Sequence, residues 1–374
     1  MFDPSDKPRV FALPCGVDFP AQLIAGLSAR QGDDPAALAR VELVVNTQRM
    51  ARRIRQIFDA GPPCLLPKVT QLTAMGDTTA LPAPVPSLRR KLELAQLIAR
   101  MLERQPDLAP RAALFDLADS LAGLMDEMQG EGVLPEAIRA LDVSDQSGHW
   151  ARMQSFLDIA ESFADSDPSA IDAQARQRRA AEALIARWEQ SPPQNPVILA
   201  GSTGSRGTTM LLMQAIARLP QGAVVLPGYD FDQPDAVWRG LDDALAAEDH
   251  PQFRFRKLMD GLGIGPRDIK PWTETPAPAP GRNRLVSLAL RPAPVTHAWM
   301  SEGPKLRDLD RATAGMTLIE APGPRAEALA IALRLRQAAE DGQSAALISP
   351  DRMLTRQVSA ALDRWNIMPD DSAG

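Results

Sequence analysis

A glycine-rich loop between residues 201 and 209 is the segment of this chain best suited to hold a phosphate group. It follows a short apolar run and precedes a helical pattern, and the backbone N–H groups that open a helix bind phosphate at such a place. A P-loop has four residues between its glycines, then Lys and Ser or Thr. Here five residues separate Gly201 from Gly207, and Thr208 stands where Lys is needed. The loop therefore lacks the side chain that grips the β- and γ-phosphates.

Polar side chains in the same loop leave two interpretations open. Ser202, Thr203 and Arg206 could assist a phosphate held on backbone amides. Alternatively, the segment is a tight turn whose hydroxyls cap the following helix. No Asp or Glu ends the preceding strand, so the carboxylate that holds Mg²⁺ in an NTPase is missing there.

A basic run, RMARRIRQ, opens a predicted helix directly after a predicted strand. Its arginines fall within two helical turns and are Arg49, Arg52, Arg53 and Arg55. Guanidinium groups at a helix start can contact successive phosphates of a nucleic acid, and Asn46 and Thr47 just before them could add backbone contacts. The alternative is a solvated helix face. Basic clusters at 89–91 and 176–179 make a local nucleic-acid path worth considering although the net charge is −6.

Other polar clusters favour structural interpretations. The acidic residues between 116 and 131 are dotted along an amphipathic helix and are typical of its solvated face, so we expect no metal site there. Aromatic and Arg residues alternate in HPQFRFRKL, 250–258, which could stack bases but more often indicates core packing. The three histidines, His149 in SGHWAR among them, lack partners for nucleophilic catalysis. We expect no catalytic residue in this chain.

Hydrophobic periodicity predicts an α/β fold. Strands are predicted near 9–13, 41–45, 65–72, 197–200 and 223–226, with helices at 19–30, 48–58 and 208–219 between them. Residues 88–190 carry only helix patterns, at 89–105, 112–131, 150–163 and 172–188, and predict a helical domain that stands apart from the sheet. A helix is predicted at 234–247, and residues 282–314 are ambiguous. A second strand–helix module is predicted from 316, with strands at 317–320 and 345–348 and helices at 325–340 and 354–365.

The amino-acid composition indicates which class of protein this is. The chain has 374 residues, of which 45% are hydrophobic and 24% charged, as in globular proteins. Its two cysteines suggest a reducing compartment, and no apolar stretch reaches membrane-spanning length. We therefore expect a cytoplasmic protein with no membrane partner.

Several segments together resemble the N-terminal part of AddB, the second subunit of the alphaproteobacterial AddAB helicase–nucleases that repair double-strand breaks. The resemblance extends over essentially the whole chain. The segments that carry it are RVFALP (9–14), VNTQRMARRIR (45–55), SLAGLMDEMQGEGV (120–133), SGHWAR (147–152), ILAGSTGSRGTT (198–209), EDHPQFRF (248–255), NRLVSLALRPAPVT (283–296), PRAEALAIALRLRQAAEDG (324–342) and PDRMLTRQVSAALDRW (350–365).

The resemblance implies a superfamily 1 helicase architecture of RecA-like parallel sheets, a P-loop NTPase fold with degenerate motifs. It divides the chain into the first part of RecA-like domain 1 (1–87), an inserted helical domain (88–190), the second part of domain 1 (191–280) and the start of a second RecA-like domain (281–374). An iron–sulfur cluster and Mg²⁺ would belong to a C-terminal nuclease domain. Since the sequence stops at Gly374 without nuclease motifs or cluster cysteines, we expect a fragment that holds no cofactor.

The helicase motifs themselves depart from an active enzyme. Pro14, Cys15 and Gly16 occupy the Walker A position without Gly-Lys-Ser/Thr, and Gly201 and Ser202 follow the strand that carries the acidic Walker B pair in active helicases. In this family such a domain is regarded as a scaffold that handles the displaced strand and, in some members, scans DNA for a recombination signal.

These observations lead to one expectation and two alternatives. The expected function is a non-motor, helicase-like subunit that binds single-stranded DNA, with ATP hydrolysis supplied by an AddA-type partner. The expected DNA contacts are Asn46, Thr47, Arg49, Arg52, Ser202, Thr203 and Arg206. The first alternative is an active ATPase that uses an atypical phosphate loop at Gly201–Thr208. The second is an assembly scaffold that does not contact DNA.

Overall fold

A computed structural model describes residues 1–32, 34, 36–140 and 171–371. The chain divides into two compact units, Met1–Ala312 and Thr313–Gly374. The four-part division expected from the sequence is finer than these two units and stays a prediction.

The first unit is built on one six-stranded parallel sheet, which confirms the predicted α/β class. The strands are β1 (Val10–Pro14), β2 (Glu42–Val45), β3 (Lys68–Gln71), β4 (Val197–Ala200), β5 (Gly222–Tyr229) and β6 (Lys270–Pro271). Their order across the sheet is β3-β2-β4-β5-β1-β6, and every pairing is parallel. The five longer strands lie where apolar runs predicted them. The two-residue β6 was not predicted, because so short a segment carries no periodicity.

Helices connect and cover these strands. Those that begin in the first unit are α1 (Phe19–Ala29), α2 (Gln48–Asp59), α3 (Ser87–Arg104), α4 (Leu114–Glu131), α5 (Pro135–Arg139), α6 (Ala173–Gln190), α7 (Gly207–Arg218), α8 (Asp235–Arg239), α9 (Ala244–Ala247), α10 (Phe253–Leu262), α11 (Pro280–Ala289), α12 (Ala298–Glu302) and α13 (Leu309–Thr313). The single helix predicted at 234–247 is wrong, because Asp243 caps a new helix at Leu245 N after the break at Gly240. The ambiguous segment 282–314 is largely helical.

Both faces of the sheet are buried, as parallel sheets require. Alternate residues of β4 enter different cores: Val197 and Leu199 face one, Ile198 and Ala200 the other. Helices α1 and α2 cover the second core, whereas α6, α7 and α10 cover the first. This two-sided burial explains why the central strands have continuous apolar sequences rather than alternating ones.

The region between residues 88 and 190 is helical wherever the structure describes it, and the helix predicted at 150–163 lies outside the described residues. Helices α3 and α4 form a core of their own through Leu94, Ile98 and Leu121. Helix α6 does not stand apart as predicted, because Ala181 and Leu184 pack in the first core of the sheet. Its apolar stripe therefore belongs to the α/β core.

The second unit contains α14 (Pro324–Glu340) and α15 (Arg352–Asp363), which pack through Ala332, Val358 and Leu362. The strands predicted at 317–320 and 345–348 are wrong: neither segment is a strand in the structure. A β-strand requires a hydrogen-bonded neighbour, and these segments are in no strand pairing among the described residues. Leu318 and Ile348 are accordingly 85% and 94% exposed.

The burial of Ile54 on α2 predicts a mutational effect. Ile54 is fully buried, so Ile54→Ala should lower the free energy of unfolding by about 2–5 kcal/mol, measured by urea titration with circular dichroism. The neighbouring Arg55 is exposed, and Arg55→Ala should change the free energy of unfolding by less than about 0.5 kcal/mol. Equal effects of the two substitutions would contradict the packing of α2 described above.

Candidate nucleic-acid interface

The loops after β2 and β4 meet at the carboxyl edge of the sheet. Strands β2 and β4 are neighbours, and Val45 pairs with Ala200 at their ends. Directly beyond this pair, the Asn46 side chain donates a hydrogen bond from Nδ2 to the carbonyl oxygen of Gly201, at 2.7 Å. Two segments that are distant in the sequence and were both expected to contact DNA are thereby joined.

Gly201 makes this close approach possible. Its φ is +79°, a left-handed conformation that favours glycine. A Cβ atom there would also lie 3.1 Å from Cε of Met50 and 3.3 Å from Cε1 of Phe19. The glycine is therefore needed to seat the loop against the starts of α1 and α2.

Helix α2 presents its basic face from this edge. Thr47 is the N-cap residue, and its hydroxyl oxygen accepts a hydrogen bond from Met50 N at 3.1 Å. Arg49 and Arg52 are exposed, and Arg52 forms no ion pair within the described part of the chain. Arg53 forms an ion pair with Asp18, because its guanidinium lies 3.3 Å from the Asp18 carboxylate.

The loop after β4 divides into a buried and an exposed part. Ser202 is 6% exposed, and its hydroxyl accepts a hydrogen bond from Gly204 N at 3.2 Å. Ser202 therefore stabilises the loop and is too buried to contact DNA as expected. Thr203 and Arg206 are exposed at the edge, where a ligand could reach them.

The start of α7 is occupied by a turn at the end of α4. Gly207 N donates a hydrogen bond to Oε1 of Glu131 at 2.8 Å, and the Thr208 hydroxyl donates to the Gly130 carbonyl oxygen at 3.3 Å. The expectation that loop hydroxyls cap this helix is therefore wrong, since the cap comes from Glu131. One of the N–H groups that a bound phosphate would use, that of Gly207, therefore already has a carboxylate partner.

The turn at Pro14–Gly16 also forms hydrogen bonds with other parts of the chain. Cys15 donates from Sγ to the Gly228 carbonyl oxygen at 3.1 Å, and its own carbonyl oxygen accepts from Asn283 Nδ2 at 3.0 Å. Pro278 lies against Gly16, where an added Cβ would be 3.2 Å from its Cγ. Because β5 lies between β4 and β1, this turn is also separated from the loop after β4.

The N-terminus of α1, next to that turn, has a carboxylate cap as well. Asp18 Oδ1 accepts a hydrogen bond from Ala21 N at 3.2 Å. A Walker A loop needs this helix start for phosphate. The turn expected to correspond to a Walker A loop therefore lacks Lys in sequence, and the helix start beside it is capped by Asp18 in the structure.

Arginines of the other two basic clusters, 89–91 and 176–179, form contacts within the protein. Arg90 is buried and forms ion pairs with Asp126 and Asp172, linking α3, α4 and the start of α6. Arg178 donates to the Gly130 carbonyl oxygen at 3.0 Å and pairs with Glu182. These residues are consequently poor candidates for a nucleic-acid path.

The aromatic residues of 250–258 pack in the core, as the structural interpretation predicted. Phe253 and Phe255 are buried there. Sequence reasoning missed Gln252, whose side chain donates to the Gly228 carbonyl oxygen at 3.0 Å and accepts from Asp230 N at 3.2 Å. Gln252 thereby fixes the carboxyl end of β5, and no sequence pattern marks such a bridge.

Comparison of the chain with protein-family models and with curated proteins found no match. Over the ranges that the structure describes, no three or more His, Cys, Asp and Glu side chains gather into a group suited to a metal ion. In those same ranges no helix is long and apolar enough to cross a membrane.

The environment of Cys15 predicts slow alkylation. Burial, and secondarily the Asp230 carboxylate, raises the pKa of the Cys15 thiol, so less of it is the reactive thiolate at pH 8. Iodoacetamide should therefore modify the exposed Cys64 several times faster than Cys15, as followed by mass spectrometry of peptides. A Cys64→Ser variant isolates the slower reaction. Equal rates would contradict a covered turn at Pro14–Gly16.

Proposed function

We propose that this protein is a non-motor, helicase-like subunit that binds single-stranded DNA along the carboxyl edge of its parallel sheet. In this proposal it acts in an AddAB-type helicase–nuclease that processes double-strand breaks for homologous recombination, and an AddA-type partner hydrolyses ATP. The observation that carries the proposal is the hydrogen bond from Asn46 to Gly201, because it brings two exposed basic segments together at one edge.

The electrostatics of this edge support binding to phosphates. Arg52 and Arg206 are exposed, and neither has an ion-pair partner within the described ranges. Arg49 is exposed on the same first turn of α2 as the capping residue Thr47. Since phosphate contacts dominate the affinity of proteins for nucleic acids, a local row of arginines suffices even on a chain of net charge −6.

The fold supports the helicase-like part of the proposal. A parallel sheet covered on both faces is consistent with a RecA-like domain, and ligands of such sheets bind at the carboxyl ends of the strands. Helices α3 and α4, with their own core, agree with an inserted helical domain between β3 and β4. The resemblance of the sequence to AddB supplies the biological setting.

Removing basic side chains from the edge should weaken DNA binding in a defined way. Arg49→Ala with Arg52→Ala should lower affinity for single-stranded DNA of any sequence and reduce the slope of log K against log salt by about 1.4, or about 0.7 per lost phosphate contact. Fluorescence anisotropy of the protein with a labelled oligonucleotide, at several salt concentrations, measures both quantities.

Two basic residues at the opposite edge of the sheet provide a control double variant with the same loss of charge. Arg40, which precedes β2 and pairs with Asp34, and Lys68, which begins β3 and pairs with Glu42, are at the amino ends of their strands. Arg40→Ala with Lys68→Ala should leave the salt slope unchanged. If both double variants bind as the wild type does, the arginines of α2 are a solvated face.

The alternative of an atypical phosphate loop makes a different prediction. ATP at Gly201–Thr208 would have to displace Glu131 from Gly207 N, and the loop itself has Thr208 where a P-loop has Lys. We expect no ATP binding by calorimetry and no DNA-stimulated hydrolysis. Turnover that is lost on Thr208→Ala would favour the ATPase, whereas absence of both DNA and ATP binding would favour the assembly scaffold.

A further inference from the structure

The turn Gly130–Gly132, at the end of α4, is held against the start of α7 by an unusually close set of contacts. A Cβ atom on Gly207 would lie 2.7 Å from Cα of Glu131 and 2.8 Å from the Gly130 carbonyl oxygen, so only glycine allows this approach. Two segments of the sequence, MQGEG and SRGTT, meet here. The expected function assigned the second segment to DNA and left the first without a role.

Helix α6 supports the turn from the other side. The Gly130 carbonyl oxygen accepts hydrogen bonds from both Arg178 Nη1 and the Thr208 hydroxyl. The Arg178 guanidinium also fills the space that a side chain at Gly132 would need, and Gly132 has a φ of +72°. The turn is therefore fixed by α6 and α7 together, which determines where Glu131 is held.

The Glu131 carboxylate lies beside the loop that contains Arg206, one of the proposed DNA contacts at the carboxyl edge of the sheet. Glu131 binds the N–H of Gly207, the residue directly after Arg206. A negative charge there opposes the approach of a phosphate to Arg206. Glu131 is itself exposed, so water can replace its carboxylate as the acceptor for Gly207 N while the turn stays in place.

We propose that Glu131 is an autoinhibitory latch: while it is bound to Gly207, it weakens the contact of DNA phosphate with the loop after β4. The inference rests on the proposed function. It makes the DNA affinity of the edge depend on the Glu131 carboxylate at the start of α7, so that removing this charge strengthens DNA binding.

The variant Glu131→Gln tests the latch, because it keeps an oxygen acceptor for Gly207 N and removes the charge. Glu127→Gln is the matched control: Glu127 is exposed on the same helix, and the loss of charge is identical. We expect Glu131→Gln to bind a single-stranded oligonucleotide several-fold more tightly than the wild type at low salt, with Glu127→Gln unchanged. Because a neutral amide is a weaker acceptor than a carboxylate, amide exchange of Gly207, measured without DNA, should be faster in Glu131→Gln only.

The outcomes separate this inference from the proposed function. If the wild type binds DNA and Glu131→Gln binds equally well, the latch is overturned and the proposed function stands. If Glu131→Gln and Glu127→Gln tighten binding equally, net charge rather than the latch is responsible, and the inference fails. If neither the wild type nor Glu131→Gln binds DNA, both are overturned, whatever the exchange rates are.

Discussion

The first unit depends on the pairing of three central parallel strands, β2, β4 and β5, whose side chains are buried on both faces of the sheet. Because both faces must be covered, the connections pass over the sheet as helices, and the strands end together at one edge. The pairing of Val45 with Ala200 then places Asn46 next to Gly201. The candidate interface is a consequence of strand register, and a shift of one residue would separate its two loops.

The helix starts at the same edge differ from those of parallel α/β proteins that bind nucleotides. Parallel α/β proteins that bind nucleotides leave a helix N-terminus open for phosphate. Here three helix starts on this edge are capped from within: α1 by Asp18, α2 by Thr47 and α7 by Glu131. One N–H group at each of these helix starts is therefore already hydrogen-bonded within the protein. The exposed arginine side chains at this edge are further groups that can attract phosphate.

The sequence predicted the parts of the fold that depend on local periodicity. Buried strands such as β4 and amphipathic helices such as α2 carry their pattern within a few residues. It could not predict contacts between distant segments: the burial of Ser202, the role of Glu131 and the bridge made by Gln252 all depend on what another element brings nearby. The strands expected at 317–320 and 345–348 failed for a related reason, since an apolar run becomes a strand only beside a partner.

In the function that we propose, single-stranded DNA lies along the carboxyl edge of the sheet. The most direct measurement is hydrogen–deuterium exchange of the protein with and without a single-stranded oligonucleotide at low salt. We expect slower exchange confined to residues 46–52 and 201–207, with the amino ends of β2 and β3 unchanged. Protection that is absent from both segments while DNA is bound, or that lies at the opposite edge, would contradict it.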